Sequence, residues 1–202
     1  MQKFNISYKT HQFILGIILP LLFMGTGVSA MNTTENIKDK PTMILESSAF
    51  KNNESIPVPY TSDGPQVFPP LQWKGAPKET KSFVLICEDP DGSGPTKGTK
   101  ETKNHVILYN IPATLDHIDE GGKNLTAEVR FGINSRGELV WAGPRPPEGT
   151  GVHHYNFTLY ALDTVLKLEK GQTKEQVKKA IEGHILAEAK LTGLYQYNKD
   201  LH

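Results

Sequence analysis

Five side chains stand out by type and spacing: Asp89 and Asp91 in the run Asp89-Pro90-Asp91-Gly92, His105, and then His153 and Tyr155 flanking His154. Two imidazoles and a phenol supply hydrogen-bond donors for an oxyanion, and two carboxylates can hold the imidazoles in a chosen tautomer. A site of that composition suits a small anionic ligand such as a phosphate ester. The same residues also have a plain structural reading. Asp-Pro-Asp-Gly is a good turn sequence, and His153 reads equally as a hydrogen-bonded core histidine. A third reading is hydrolysis without a metal, with His105 or His153 as general base oriented by Asp89 or Asp91. Against it, the chain has no Gly-x-Ser-x-Gly elbow, and Ser93 falls in a loop. Adjacent histidines on a strand point to opposite faces, so His153 and His154 cannot serve one ion. No metal and no cofactor is expected.

These residues need elements to hold them. The stretch 143–151, GPRPPEGTG, is a poor helix and a good shaped loop, because proline fixes φ and glycine reaches values that other residues avoid. Behind it the sequence alternates. His153, Tyr155, Phe157, Leu159 and Ala161 share one strand face, and His154, Asn156, Thr158, Tyr160 and Leu162 share the other. The imidazole of His153 therefore points with the apolar set, at the edge of a core, where pockets are usually built. Two strong strands precede it, 83–88 and 105–111. If they pair antiparallel, the end of the first and the start of the second meet at one sheet edge, and Asp89, Asp91, His105, His153 and Tyr155 line one rim.

The remaining pattern is of short extended pieces at 43–48, 56–60, 71–73, 128–133 and 139–141, with a hairpin expected around the turn 134–137. Residues 92–103 read as a loop whose Lys97, Lys100 and Lys103 are solvated. Helical periodicity appears only late, at Val177, Ala180, Ile181 and His184, behind a Thr173/Gln176 capping box, with a stop near Gly183. Residues 185–191 fit either helix or strand, and 194–197 look extended. His117, His184 and His202 have no partner visible in the sequence. The fold class is mainly β: an antiparallel β-sandwich with a small peripheral C-terminal helix.

Of the 202 residues, 37% are hydrophobic and 22% charged, which is enough to bury a core in one domain. Residues 1–30 carry Lys3 and Lys9, an apolar stretch at 13–24 and the small-residue end Val28-Ser29-Ala30, the pattern of a signal peptide cleaved near Ala30. The apolar stretch falls short of the roughly 20 residues needed to span a bilayer, so no stable membrane insertion is expected after cleavage. Residues 31–42 read as a disordered tether, leaving 43–202 as the domain. Cleavage removes two lysines and no acid from a chain of zero formal charge, which leaves a slightly acidic protein unsuited to nucleic acid. Cys87 is the sole cysteine, in phase with Phe83 and Leu85, and reads as a small buried hydrophobe with no intrachain disulfide.

The chain resembles the phosphatidylethanolamine-binding protein family, in particular its bacterial Raf-kinase-inhibitor-like branch. The likeness spans roughly 43–197. It rests on Asp89-Pro90-Asp91, on His105 with Leu108-Tyr109-Asn110-Ile111-Pro112, and on Gly143-Pro144, Pro146-Pro147, Gly149-Thr150-Gly151, His153 and Tyr155. The resemblance implies antiparallel sheets with peripheral helices and a small pocket for phosphate-like anions, formed here by Asp89, Asp91, His105, Pro146, His153 and Tyr155. It also implies a non-catalytic binding or regulatory protein: a phosphate ester or phospholipid head group as ligand, a protein partner that it regulates or inhibits, and a homodimer as one candidate state. The family tends to hold a cis peptide in its site loops, which here singles out the bonds before Pro90, Pro146 and Pro147. The sequence departs from the usual pattern at Val106 and His154, where tryptophan and arginine are frequent. With its signal peptide, the protein is expected in the periplasm or outside the cell.

Overall fold

The computed structural model describes residues 42–94, 96, 98–197 and 199–201, all within the unit Lys38–His202. The expected signal peptide, the tether except Thr42, Lys97 and His202 lie outside the described residues. In chain order the strands are β1 (Ile44–Glu46), β2 (Glu54–Ser55), β3 (Leu71–Lys74), β4 (Ser82–Asp89), β5 (Lys103–Pro112), β6 (His117–Ile118), β7 (Arg130–Phe131), β8 (Val152–Leu162) and β9 (Ile185–Gln196). One helix, α1 (Lys174–Ile181), precedes β9.

Two open sheets form, a small one in the order β1-β3-β6 and a large one in the order β2-β9-β8-β4-β5-β7. Every pairing is antiparallel except the short contact of β2 with β9, which is parallel. The parity of β8 is as the alternation predicts. His153, Tyr155, Phe157, Leu159 and Ala161 are all buried, while His154 is exposed. Tyr155, Phe157, Leu159 and Ala161 enter one core with Phe83, Leu85, Cys87, Val106 and Leu108 of the large sheet and Leu45, Leu71, Trp73 and Ile118 of the small one. Trp73 and Phe83 meet edge to face across the two sheets, with centroids 5.3 Å apart.

The central strand β4 is apolar on both faces because both are covered. Val84 and Ile86 point away from the sandwich and pack with Ile107, Tyr109, Leu166, Val177 and Ile181. The last two come from α1, whose capping box is formed as expected: Thr173 accepts from the Gln176 amide, and the Gln176 side chain accepts from the Thr173 amide. Burying Val177 and Ile181 contributes about 1.5–3 kcal/mol each, more than a helix of two turns has from propensity alone. The observed fold is thus mainly β with a small peripheral helix.

Several local expectations are corrected. Residues 56–60 give a 3₁₀ turn (Val58–Tyr60) rather than a strand, with the Thr61 amide bonded to Val58 O. The strand read at 128–133 shortens to Arg130–Phe131, and no strand forms at 139–141. Asn134 is the reason: its Oδ1 accepts the amides of Arg136 and Glu138, and its Nδ2 donates to Val140 O. One side chain takes the bonds that a hairpin ladder would have made. His184 lies beyond α1, which ends at Ile181 ahead of Gly183 at φ +78°. The ambiguous 185–191 joins 194–196 in the long strand β9. The bonds before Pro90, Pro146 and Pro147 are trans, as are all described peptide bonds, in keeping with the ordinary preference of X-Pro.

Candidate functional site

β4 and β5 pair with Asp89 opposite Lys103 and Glu88 opposite Asn104, so the end of one strand and the start of the other share an edge. The start of β8 lies at that edge too, since Glu88 pairs with Asn156. Loop 143–151 closes over it. A cavity of about 260 Å³ results, lined by Asp89, Ser93, Lys103, Asn104, His105, Ser135, Arg136, Ala142, Arg145, Pro146, Pro147, His153 and Tyr155. Five of the six residues singled out in the sequence thus face one space. Asp91 does not. The turn sends its carboxylate outward, where Oδ1 takes Lys100 Nζ at 2.5 Å and Oδ2 takes the His154 amide at 3.2 Å and its Nδ1 at 2.8 Å. Partial burial works to raise the Asp91 carboxyl, but the bonds from Lys100 and His154 outweigh it and lower it to about 2.

Inside the cavity wall the hydrogen bonds settle who donates. Asp89 Oδ1 accepts the Asp91 amide at 2.8 Å, and Oδ2 lies 2.8 Å from His153 Nδ1. The far nitrogen, Nε2, is 2.9 Å from Thr150 Oγ1, and that hydroxyl donates its single hydrogen to Pro147 O at 2.7 Å. Asp89 thus holds one ring nitrogen of His153, and Thr150 Oγ1 stands between the other and Pro147 O. His105 Nδ1 sits 2.5 Å from Ala142 O, which can only accept, leaving Nε2 as the acceptor of the neutral ring. Burial depresses the His105 imidazolium, against the opposing pull of its bond to Ala142 and of Asp89, which favours that neutral form. Tyr155 stands edge-on to His105 at 4.9 Å, and burial first, then the Asp89 charge, push its phenol far up. It stays a neutral donor.

Residues not singled out complete the lining. Lys103, Arg136 and Arg145 set three cations against one carboxylate whose oxygens are both already engaged. Asn104 keeps a buried Oδ1 with no hydrogen-bond partner among the described residues. Arg136 is tied to Ser62 Oγ at 3.1 Å, Gln66 Oε1 at 3.3 Å and Gly143 O at 3.3 Å, so it fastens the 62–66 loop to the proline loop. No sequence pattern announces a contact across some seventy residues. Arg145 was in view inside the proline loop, but nothing local fixes where its side chain points. His117 and His184 have carboxylate partners after all, Asp116 and Asp163, each at 2.7 Å. Cys87 is fully buried, with its thiol raised by burial and then by Asp89 and Glu88, which suits the inert reading. Among the described residues no group of three or more His, Cys, Asp or Glu is placed to hold a metal. A larger groove of about 710 Å³, lined by Phe68, Leu125, Phe131, Leu139, Val140 and Trp141 among others, has no titratable lining, so the acid–base chemistry belongs to the smaller cavity.

A sandwich of two open sheets is the fold on which the comparisons converge. A family model described as phosphatidylethanolamine-binding protein matches residues 46–196, and the chain belongs to that family. Among its relatives is a UPF0098 protein of Methanothermobacter thermautotrophicus, 46% identical over 158 residues that cover 76% of this chain and 99% of the relative. Among solved structures, a phosphatidylethanolamine-binding protein homologue from Chlamydia trachomatis is 39% identical with a TM-score of 0.71, over 78% of this chain and 99% of that one. The Escherichia coli protein YbcL, described as a member of the mammalian family, is 27% identical with a TM-score of 0.69, over 77% and 99% of the two chains. The family resemblance and the fold it implied are borne out.

Proposed function

We propose that the protein is an exported, non-catalytic binding protein whose strand-end cavity takes a small oxyanion: a phosphate ester, free or as a phospholipid head group. The observation that carries this reading is the charge of the cavity wall. Lys103, Arg136 and Arg145 line it with Asp89 as the single carboxylate, and Asp89 is already bonded to His153 and the Asp91 amide. Neutral donors, the Tyr155 phenol and the hydroxyls of Ser93 and Ser135, share the lining. A wall of about 260 Å³ fits a head group rather than a drug-sized ligand. Export to the periplasm or outside the cell is supported by the signal-peptide pattern of Lys3, Lys9, the apolar stretch at 13–24 and Val28-Ser29-Ala30. There it regulates a protein partner, and a homodimer is the assembly that the family resemblance favours.

The hydrolase reading meets an obstacle in the hydrogen bonds. Asp89, His153 and Thr150 are spaced like an acid, base and nucleophile, at 2.8 and 2.9 Å. Yet the Thr150 hydroxyl also lies 2.7 Å from Pro147 O, and a hydrogen directed there is not presented to His153 Nε2 for removal. Calorimetric titration of phosphate, phosphoethanolamine and acetate into the purified domain tests the binding reading. Phosphate and phosphoethanolamine are expected to bind, and His153→Ala to weaken both by dismantling the wall. A wild-type protein that takes up none of the three overturns it. Phosphoethanolamine binding well ahead of phosphate points to the lipid head group, and equal binding to the free ester. Mass measurement of the protein recovered from cells checks export through loss of residues 1–30.

A further inference from the structure

Behind the cavity lies a buried carboxylate that the anion reading leaves unused. The side chain of Asp63 has no solvent exposure, and its Oδ1 lies 3.3 Å from Nε of Arg145. Its other oxygen accepts the Tyr195 hydroxyl at 2.8 Å. Asp63 does not line the cavity, whereas Arg145, with 52% of its side chain exposed, does. A carboxylate removed from water is costly unless compensated, and here Tyr195 supplies the hydrogen bond at Oδ2 while Arg145 supplies the opposite charge beside Oδ1. The backbone around it is fixed as well. Ser62 donates its amide to Pro144 O at 2.9 Å and its hydroxyl to Gly143 O at 2.9 Å. Gly143 permits this approach, because a Cβ there would stand 2.7 Å from Thr61 C and 2.8 Å from Ser62 N. The loop that carries Asp63 is thus bonded to the loop that carries Arg145, one residue before each.

The three cations of the wall are not equivalent. Arg136 is committed to Ser62, Gln66 and Gly143, and Lys103 pairs with Glu101 at 2.8 Å on the exposed side. A guanidinium is a rigid plane of five donors, so a partner at Nε sets the direction of the whole fork, and a fork matches an oxyanion through two parallel bonds. Resting on the anion reading above, we propose that Arg145 contacts the ligand's oxyanion, and that Asp63, held by Tyr195, is the positioning residue that aims it. The ligand class sharpens accordingly: a group offering two oxygens to one guanidinium, such as a phosphate monoester, ahead of a spherical anion such as bromide.

The sign of one substitution separates aiming from charge. Removing a buried negative charge beside a cationic wall tightens anion binding if Asp63 acts through its field alone, and loosens it if Asp63 aims Arg145. The test is calorimetric titration of inorganic phosphate and bromide into the wild type, Arg145→Ala, Arg145→Lys, Asp63→Asn and the double variant Asp63→Asn/Arg145→Ala. Arg145→Ala is expected to weaken phosphate binding about tenfold or more, the worth of a charge-assisted hydrogen bond, and Arg145→Lys to recover only part while losing preference for phosphate over bromide. Asp63→Asn is expected to weaken it severalfold when Arg145 is present and to change nothing further when it is absent. Tyr195→Phe, which removes only the hydroxyl, is expected to repeat that pattern more weakly and serves if Asp63→Asn fails to fold. Tighter binding in Asp63→Asn, an equal loss in both backgrounds, or wild-type affinity in Arg145→Ala overturns this inference alone. A wild type that binds no phosphate overturns it together with the anion reading.

Discussion

His153 Nδ1 and Asp89 Oδ2 stand 2.8 Å apart with side-chain exposures of 2% and 5%, and the pair joins the end of β4 to the start of β8. Removing one member of such a pair leaves the other buried without its hydrogen-bond partner. Asp89→Asn keeps the shape and deletes the charge, and it is expected to cost about 3 kcal/mol. Urea unfolding reads this as a lower midpoint at unchanged slope. A midpoint equal to that of the wild type would show the pair to be electrostatically idle.

His105 sets a pH dependence. Burial lowers its folded value below 6.5, so the folded protein binds fewer protons at this site than the unfolded chain, and stability rises with pH. The contribution is complete above the unfolded value and declines as pH falls below it toward the lowered folded value. Melting temperatures between pH 5 and 7 are expected to rise less steeply in His105→Asn, whose amide can still donate to Ala142 O. Parallel curves for the two proteins would contradict the assignment.

Asp91 serves the outer loop rather than the cavity. Its folded value of about 2 lies below the usual 3.8, so its contribution is present above the latter and is lost as pH falls through about 2. In Asp91→Asn at neutral pH, the amides of Gly94 and Glu101, bonded to Thr99 O and Gly92 O, are expected to exchange faster by about fivefold or less, the worth of a surface pair. Phosphate affinity should move far less than in His153→Ala. A loss as large as that variant's would return Asp91 to the ligand site.

Gly143→Ala tests the approach of the two loops. The added methyl would meet backbone atoms of Thr61 and Ser62 at 2.7–2.9 Å, and neither can turn aside as a side chain would. A cost of about 1–3 kcal/mol follows from overpacking, together with weakened phosphate binding as the proline loop shifts. An unchanged melting temperature would mean that the loops separate freely.

What the sequence made legible was whatever follows from periodicity and chain continuity. The alternation of β8 placed His153 and Tyr155 inward and His154 outward, and antiparallel order brought Asp89 and His105 to the same edge. Illegible were the decisions made by single side chains over long separations. Asn134 captured the amides that would have built a hairpin, and Arg136 and Asp63 reached the proline loop from distant parts of the chain. The sheet-edge reasoning brought Asp91 to the rim with Asp89, but the direction of its carboxylate is set by Lys100 and His154, which turn it outward.

The two acid–histidine pairs occur in matching order along the chain, Asp89 with His153 inside and Asp91 with His154 outside. A slip of β8 by one residue against β4 would bring His154 to the buried acid and send His153 to water, and the same slip would turn Tyr155, Phe157 and Leu159 out of the core. The buried acid would still meet an imidazole, so it is apolar burial that rejects this misalignment. The histidine doublet, whatever it contributes to a ligand, leaves the choice of register to the apolar face behind it.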